Sequence, residues 1–301
     1  MTLARTLTLA ATAALGLSIC TVAAAQHAGF VLFGESNEAG LAQAAEDKHV
    51  HPITSPYFHE DSFVTTDVRA WYLYHDFPKS SAIAGGNATV FAVQLRVALT
   101  DQLQFVASKD GYIDFDTGLV DDSGLGDVAA SIKWNFLQDW DNQLHAAVGL
   151  GYEVGVGDDE VLQDDDEIRI YATIDKGFDK LHLGGTLNLT IPTGSEDALG
   201  DSTRLFWHAR ADYYLCEWFS PVVNLNGYHT IDEGDNTPLP FSGVDVANFG
   251  GGQSEDVITA GLGGEFRLID NLGLRGAYEF PLTDNDDLFG YRWTFSAIYS
   301  F

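Results

Sequence analysis

The chain has 301 residues, 46% of them apolar, with 15 Lys and Arg against 44 Asp and Glu, a formal net charge of −29 and a mean hydropathy of −0.03. A helical multi-span membrane protein is excluded, because each span needs ~20 consecutive apolar residues. Nucleic acid is a poor partner for so acidic a chain, since phosphate binding needs a basic footprint. The 31 Gly and 37 aromatic residues (19 Phe, 12 Tyr, 6 Trp) beside a single Met indicate a β protein rich in turns.

Met1 to Ala25 reads as a secretory signal peptide: Arg5 precedes the apolar stretch Leu7 to Ile19, and Ala23-Ala24-Ala25 offers a small-x-small cleavage site before Gln26. A lipoprotein reading at Cys20 is weakened by the bulky Ile19 before it. Without the signal the chain keeps only Cys216, so no internal disulfide is expected, and losing Arg5 takes the net charge from −29 to about −30. Residues 26–62 follow as a polar, irregular segment. A short helix is expected over Glu35 to Lys48, and Pro52 and Pro56 break what comes after. This segment is either a periplasmic tail or a plug that enters a lumen.

From about residue 64 onwards, apolar residues recur at every second position. Val93, Leu95, Val97 and Leu99 alternate with Gln94 and Arg96. Ile132, Trp134 and Phe136 alternate with Lys133 and Asn135, and Phe289, Tyr291, Trp293, Phe295, Ala297, Tyr299 and Phe301 form one face of the last segment. About twelve strands are expected, at roughly 64–75, 88–99, 102–110, 126–136, 143–155, 166–176, 181–191, 203–215, 220–229, 256–267, 271–282 and 289–301. At ~11 residues each they match the length of a tilted strand crossing a bilayer. Short connections alternate with longer ones rich in Asp and Gly, at 76–87, 111–125, 156–165, 192–202 and 230–255, with a shorter one at 283–288. The fold class expected is an all-β, antiparallel up-and-down transmembrane barrel over residues 63–301, with tight periplasmic turns and longer outer loops. Aromatic belts fit this reading: Trp134, Phe136, Trp140, Tyr213, Trp218, Phe219, Phe266, Tyr299 and Phe301 at one rim, and Tyr72, Tyr74, Tyr152, Phe289 and Tyr291 towards the other. A soluble β-sandwich would have shorter strands and an outward face rich in Lys, Thr and Glu.

The carboxy end, Tyr291-Arg-Trp-Thr-Phe-Ser-Ala-Ile-Tyr-Ser-Phe301, resembles the terminal strand of bacterial outer-membrane barrels. The resemblance implies residence in the outer membrane, among its lipid and lipopolysaccharide, and reading of Phe301 by the barrel-assembly machinery. A narrower resemblance is to the MetA-pathway-of-phenol-degradation family of outer-membrane barrels. It rests on Thr66-Asp67-Val68-Arg69 and on Gly124-Leu125-Gly126-Asp127-Val128 followed by Ile132-Lys133-Trp134-Asn135-Phe136. It implies passage of small molecules, aromatic or apolar ones among them.

The polar strand faces assign a charged set to the barrel interior. The cations are Arg69, Arg96, Lys133, Arg169, Arg204, Arg210, Arg275 and Arg292. The anions are Asp67, Asp127, Glu153, Glu167, Asp175, Asp212, Glu265 and Glu279, with His145, His182 and His208 beside them. Such a set either sets selectivity along a permeation path or fills a narrow barrel with ion pairs. Acidic clusters such as Asp158-Asp159-Glu160 and Asp284 to Asp287 lack the full spacing of a calcium loop. No cofactor is expected, and Ser195-Glu196-Asp197 has no partner His in sequence reach, so an enzyme is not the expectation. The expected role is passage of small molecules. The alternatives are a non-transporting barrel with cation-binding acidic loops, and then a lipid-modifying enzyme.

Overall fold

The alternating segments form fourteen antiparallel strands: β1 Asp67–Phe77, β2 Gly86–Ala98, β3 Leu103–Lys109, β4 Gly111–Thr117, β5 Asp121–Leu125, β6 Val128–Asp139, β7 Leu144–Val154, β8 Glu167–Phe178, β9 Leu181–Pro192, β10 Thr203–Tyr213, β11 Phe219–Asp232, β12 Val257–Ile269, β13 Leu272–Pro281 and β14 Tyr291–Ser300. The computed structural model describes residues 30–34, 48–81, 83–109, 111–163, 166–193, 200–234, 241–251, 256–284 and 287–301. The expected signal peptide and, apart from Lys48, the expected helix at Glu35 to Lys48 lie outside the described residues, as does Ser195-Glu196-Asp197.

The sheet closes on itself. β1 pairs with β14 on one side, Asp67 opposite Ser300, and with β2 on the other, Asp67 opposite Arg96. Closure removes the sheet edges that a membrane core would leave without hydrogen bonds. β3 and β4 both pair with β2, at Leu95–Ala98 and at Gly86–Ala92, so together they occupy one wall position. β5 and β6 pair with β4 and β3 in the same way. The barrel therefore has twelve wall positions, one pair of which is interrupted at the same level.

Residues 111–125, expected as a long loop, are instead the β4–β5 hairpin. The acids Asp114, Asp116, Asp121 and Asp122 suggest a solvated loop, and all four are exposed, but Phe115 is buried and the backbone extends the ladder with β2. At the interruption, Gly126 N–H donates to the Gly111 carbonyl (3.0 Å), and the buried Asp127 carboxylate accepts from the N–H groups of Val156 (3.1 Å) and Gly157 (2.9 Å). The Gly126-Asp127 dipeptide thus shapes a break in the wall. Gly86 requires its glycine for a related reason: at φ +102° an added Cβ would lie 2.1 Å from the Asp116 carbonyl.

The outer surface is apolar. Ile132, Leu150 and Ile170 stand side by side on β6, β7 and β8, all exposed, and Val93, Leu187, Val223, Leu262 and Phe295 continue the band. Trp134, Phe136, Tyr213, Trp218 and Phe266 are also exposed on this face. An apolar band of this extent has no place in water and fits a bilayer. Phe289, expected on the outer rim, is instead completely buried, with its ring 4.8 Å from His75 and 6.4 Å from Tyr228. It precedes β14, where the strand alternation does not yet apply, and the chain turns it into the barrel mouth.

Leu150 lies near the middle of β7 on the outer face. Leu150→Arg should lower folding stability in phospholipid vesicles by ~2–4 kcal/mol, measured by denaturant titration. A loss below ~0.5 kcal/mol would mean that this band does not face lipid.

A charged lumen closed around an inner segment

The inward strand positions carry nearly all the buried charge. Arg69, Arg96, Lys133, Arg169, Arg204, Arg210, Arg275, Arg292, Asp67, Asp127, Glu153, Glu167, Asp175, Asp212, Glu265 and Glu279 are all buried within the barrel. Isolated, such charges would be prohibitively costly out of water, so each must find a partner. Some partners lie on the wall itself. Arg69 Nε donates to Asp67 (2.7 Å), Arg204 Nη2 to Glu167 (2.7 Å), and Arg210 Nη2 to Asp175 (2.7 Å). Arg292 approaches Glu279 (3.3 Å), whose carboxylate also accepts from Asn226 (2.6 Å) and Thr259 (2.5 Å).

The remaining partners come from residues 48–66, which precede β1 and touch strands all around the ring. Arg96 on β2 donates to both oxygens of Glu60 (3.0 and 3.1 Å). Lys133 on β6 donates to the Asp61 carbonyl (2.8 Å) and approaches its carboxylate (3.4 Å), which also meets His51 Nδ1 (2.6 Å) and Arg69 (3.7 Å). Arg169 on β8 donates to the carbonyls of Tyr57 (2.5 Å) and Phe58 (2.9 Å), and Arg275 on β13 to those of His51 (3.3 Å) and Pro52 (3.2 Å). Ser62 donates through N–H (2.8 Å) and Oγ (2.6 Å) to Asp175 on β8. A segment bonded to β2, β6, β8 and β13 at once can only run inside the barrel.

A second element enters at the end opposite the termini. Within residues 241–251, Asp245 receives Arg292 (3.0 Å) and Ser55 (2.9 Å), and the Val244 and Ala247 carbonyls receive Arg204 (3.2 and 2.9 Å). Val244 packs with Phe58, Phe77, Phe115, Phe206, Leu288 and Phe289 in an apolar cluster across this mouth. Between that cluster and the inner segment lies a cavity of about 140 Å³, lined by Trp71, Leu73, Val90, Ile113 and Phe115 of the wall and Tyr57 of the segment.

The three expected histidines are divided among these surroundings. His182 Nδ1 meets Asp212 (2.7 Å), His208 Nδ1 meets Asn226 (2.9 Å) and stacks on His59, and His145 packs against Trp140 and Phe63. Sequence reasoning missed Glu60, Asp61, Asp245 and Lys109, the last of which pairs with Glu153 and Asp127 beside the wall break. A signal was available: His49, His51, His59, Glu60 and Asp61 form a titratable run between prolines. Its irregularity hid it, because its order depends on the wall rather than on its own periodicity.

Burial opposes the charge on Asp61, but Lys133, His51 and Arg69 outweigh it and hold the carboxyl well below the usual range. A depressed folded-state value contributes stability above the ordinary carboxylate range, lost only as pH falls through the depressed value. The Asp61 contribution to docking is therefore the same at pH 5 and pH 7, but burial keeps His51 and His59 neutral below the usual imidazole range, so docking of residues 48–62 should weaken as pH falls from 7 to 5. Asp61→Asn removes the charge that Lys133 and Arg69 face while the segment still shields them from water, at a cost of ~3–5 kcal/mol. Amide exchange of residues 48–62 should accelerate by about 10²–10⁴-fold, read by mass spectrometry. Unchanged exchange would show that Asp61 does not hold the segment.

No family model and no curated protein matches the chain. Among solved structures, an outer membrane channel from Pseudomonas putida F1 superposes with a TM-score of 0.61 at 13% identity, covering 84% of this chain and 100% of that one. The NanC porin gives 0.49 at 9% identity, over 78% of this chain and 98% of the porin. The KdgM porin, solved with disordered oligogalacturonate, gives 0.46 at 10% identity, over 78% and 99%. Together with the closed sheet and its apolar outer band, the first of these likenesses identifies the fold as that of a bacterial outer-membrane β-barrel.

Proposed function

We propose that the protein is an outer-membrane channel for small molecules, aromatic and apolar ones included, in which residues 48–66 act as the gate. The observation that carries this reading is the cavity between the inner segment and the far mouth. In other proteins an apolar cavity of ~150 Å³ admits a molecule the size of benzene. Here the lining is mostly apolar, with His75, Gln94, Lys109 and Arg292 of the wall and Asp245 of the far loop among its polar groups. A small solute with an aromatic body and one polar group matches that surface.

Arg69, Arg96, Arg169 and Arg275 then have two roles. With the segment docked they hold it through Glu60, Asp61 and four backbone carbonyls. With the segment withdrawn the lumen refills with water, the same cations are solvated, and they line the path. The barrel therefore tolerates undocking, whereas an isolated charge change with the segment in place is costly. Arg204, Arg210, Arg292, Asp67, Glu153, Glu167, Asp212 and Glu279 complete the selectivity lining. A signal peptide over residues 1–25, assembly through Phe301, and a surround of outer-membrane lipid and lipopolysaccharide belong to the same proposal.

Planar-bilayer recordings of the chain from Gln26, with and without residues 26–62, test it. The intact chain should give small or rare current steps, and the shortened one larger and sustained steps. Vesicles holding the shortened chain should take up phenol faster than a hexose. Silence from both forms, with heat-modifiable gel migration confirming a folded barrel, would favour a non-transporting barrel with a filled interior.

A further inference from the structure

Where the inner segment enters the barrel, at the end that carries both termini, three metal-ligating side chains converge. His49 belongs to the segment, His182 is the second residue of β9, and Asp212 lies opposite it in register on β10. One ligand atom from each lies within 4.8 Å of the others, and all three residues are buried. The His49 ring stacks on that of His182, centroids 4.2 Å apart. Among the described residues His49 Nδ1 has no hydrogen-bond partner, although its side chain is only 5% exposed; its nearest carboxylate is Asp175, at 4.0 Å. An orphaned buried imidazole nitrogen at a wall of carboxylate and imidazole calls for a ligand.

We propose that His49, His182 and Asp212 bind one borderline divalent cation, zinc foremost, and that the ion fastens the inner segment to the wall. Two imidazoles and a carboxylate suit zinc, whereas calcium and magnesium take all-oxygen sites. The orientation of His182 is already that of a ligand. Its Nε2 faces the Asp179 carbonyl (3.1 Å), which directs Nδ1 towards Asp212 Oδ2 (2.7 Å). A proton joins Nδ1 to Oδ2, and the cation takes that proton's place and releases it to solvent. Zinc with ligands at ~2.0–2.1 Å holds them roughly 3.4 Å from one another, so His182 Nδ1 and Asp212 Oδ2 part from 2.7 Å as the ion replaces the proton, His49 closes in from within 4.8 Å as its ring tilts out of the stack, and water completes the tetrahedron. Arg210 is the neighbouring cation. It donates to Asp175 (2.7 Å) and approaches Asp212 through Oδ1 (3.4 Å), which leaves Oδ2 to the metal. Because His49 lies on the segment while the other two ligands lie on adjacent strands, occupancy would favour the docked segment by mass action. The site requires no solute passage and is tested independently of it.

The test uses the refolded chain from Gln26 in detergent, carrying no histidine tag, titrated calorimetrically with zinc chloride. The expected result is one zinc per chain, undiminished by millimolar calcium, with slower amide exchange of residues 48–62 in the bound form. His49→Phe keeps the ring against Phe63 and His182 but removes the nitrogen. It should weaken zinc binding by at least about 100-fold, beyond the ~10–100-fold typical of losing a supporting group around a metal. If the variant fails to refold, cobalt(II) added to the unmodified chain decides the matter. An intense four-coordinate ligand-field spectrum that zinc abolishes supports the site; the weak spectrum of an octahedral all-oxygen site overturns it. Zinc uptake equal in His49→Phe and the unmodified chain would assign binding to the acidic loops and overturn the proposal, as would no uptake at all.

Discussion

The structure depends on one electrostatic constraint: cations fixed on the inner wall must be matched once water is displaced from the lumen. The wall supplies Asp67, Glu167, Asp175 and Glu279, but Arg96 and Lys133 meet their carboxylates on Glu60 and Asp61 of the segment. Arg169 and Arg275 are satisfied by backbone carbonyls instead, which an irregular chain exposes and a strand does not. The absence of regular structure in residues 48–66 is therefore what lets it serve the wall. Its carbonyls point outwards in several directions, where a strand would spend them on a ladder.

The same reasoning separates the two ends of the lumen. Towards the termini the filling is polar, with His49, His51, Glu60, Asp61 and Ser62 among charged wall residues. Towards the other mouth the wall turns aromatic, and Phe77, Phe115, Phe206 and Phe289 pack against Val244 from the incoming loop. The cavity lies between these regimes and beside the break in the wall at Gly111 and Gly126. Tyr171 shows how closely the interior is fitted. Its ring lies where a Cβ on Gly149 would stand, 2.1 Å from the nearest ring atom, and Arg169 stacks 4.5 Å from it. Without a side chain at residue 149, that ring and guanidinium could not occupy one layer.

Much of the barrel was legible because a strand between lipid and lumen has a strict period of two. Lys133 and Asn135 had to face inwards once Ile132, Trp134 and Phe136 faced out, and the same logic placed Arg69, Arg169 and Arg210. It failed where the period is interrupted. The acidic β4–β5 hairpin looked like a loop, since its charges mask the backbone pairing with β2. Phe289 was assigned by extending the alternation of β14 past its first residue. Asp127 is an interior charge, but it stands between β5 and β6 rather than on a strand face, and it bonds the backbone of residues 156–157 at the wall break.

By itself, then, the sequence determined the barrel, its wall count and most of the inward charges on its strands, because each follows from local alternation that a membrane enforces residue by residue. Only the tertiary structure decided which charges meet. Glu60 and Arg96 are 36 residues apart, Asp61 and Lys133 72, Arg275 and His51 224. No local pattern encodes such pairs, since they exist only after the sheet has closed and the segment has entered it. The meeting of His49 with His182 and Asp212 has the same origin: three unremarkable residues become a cluster because closure brings adjacent strands and an irregular segment to one point.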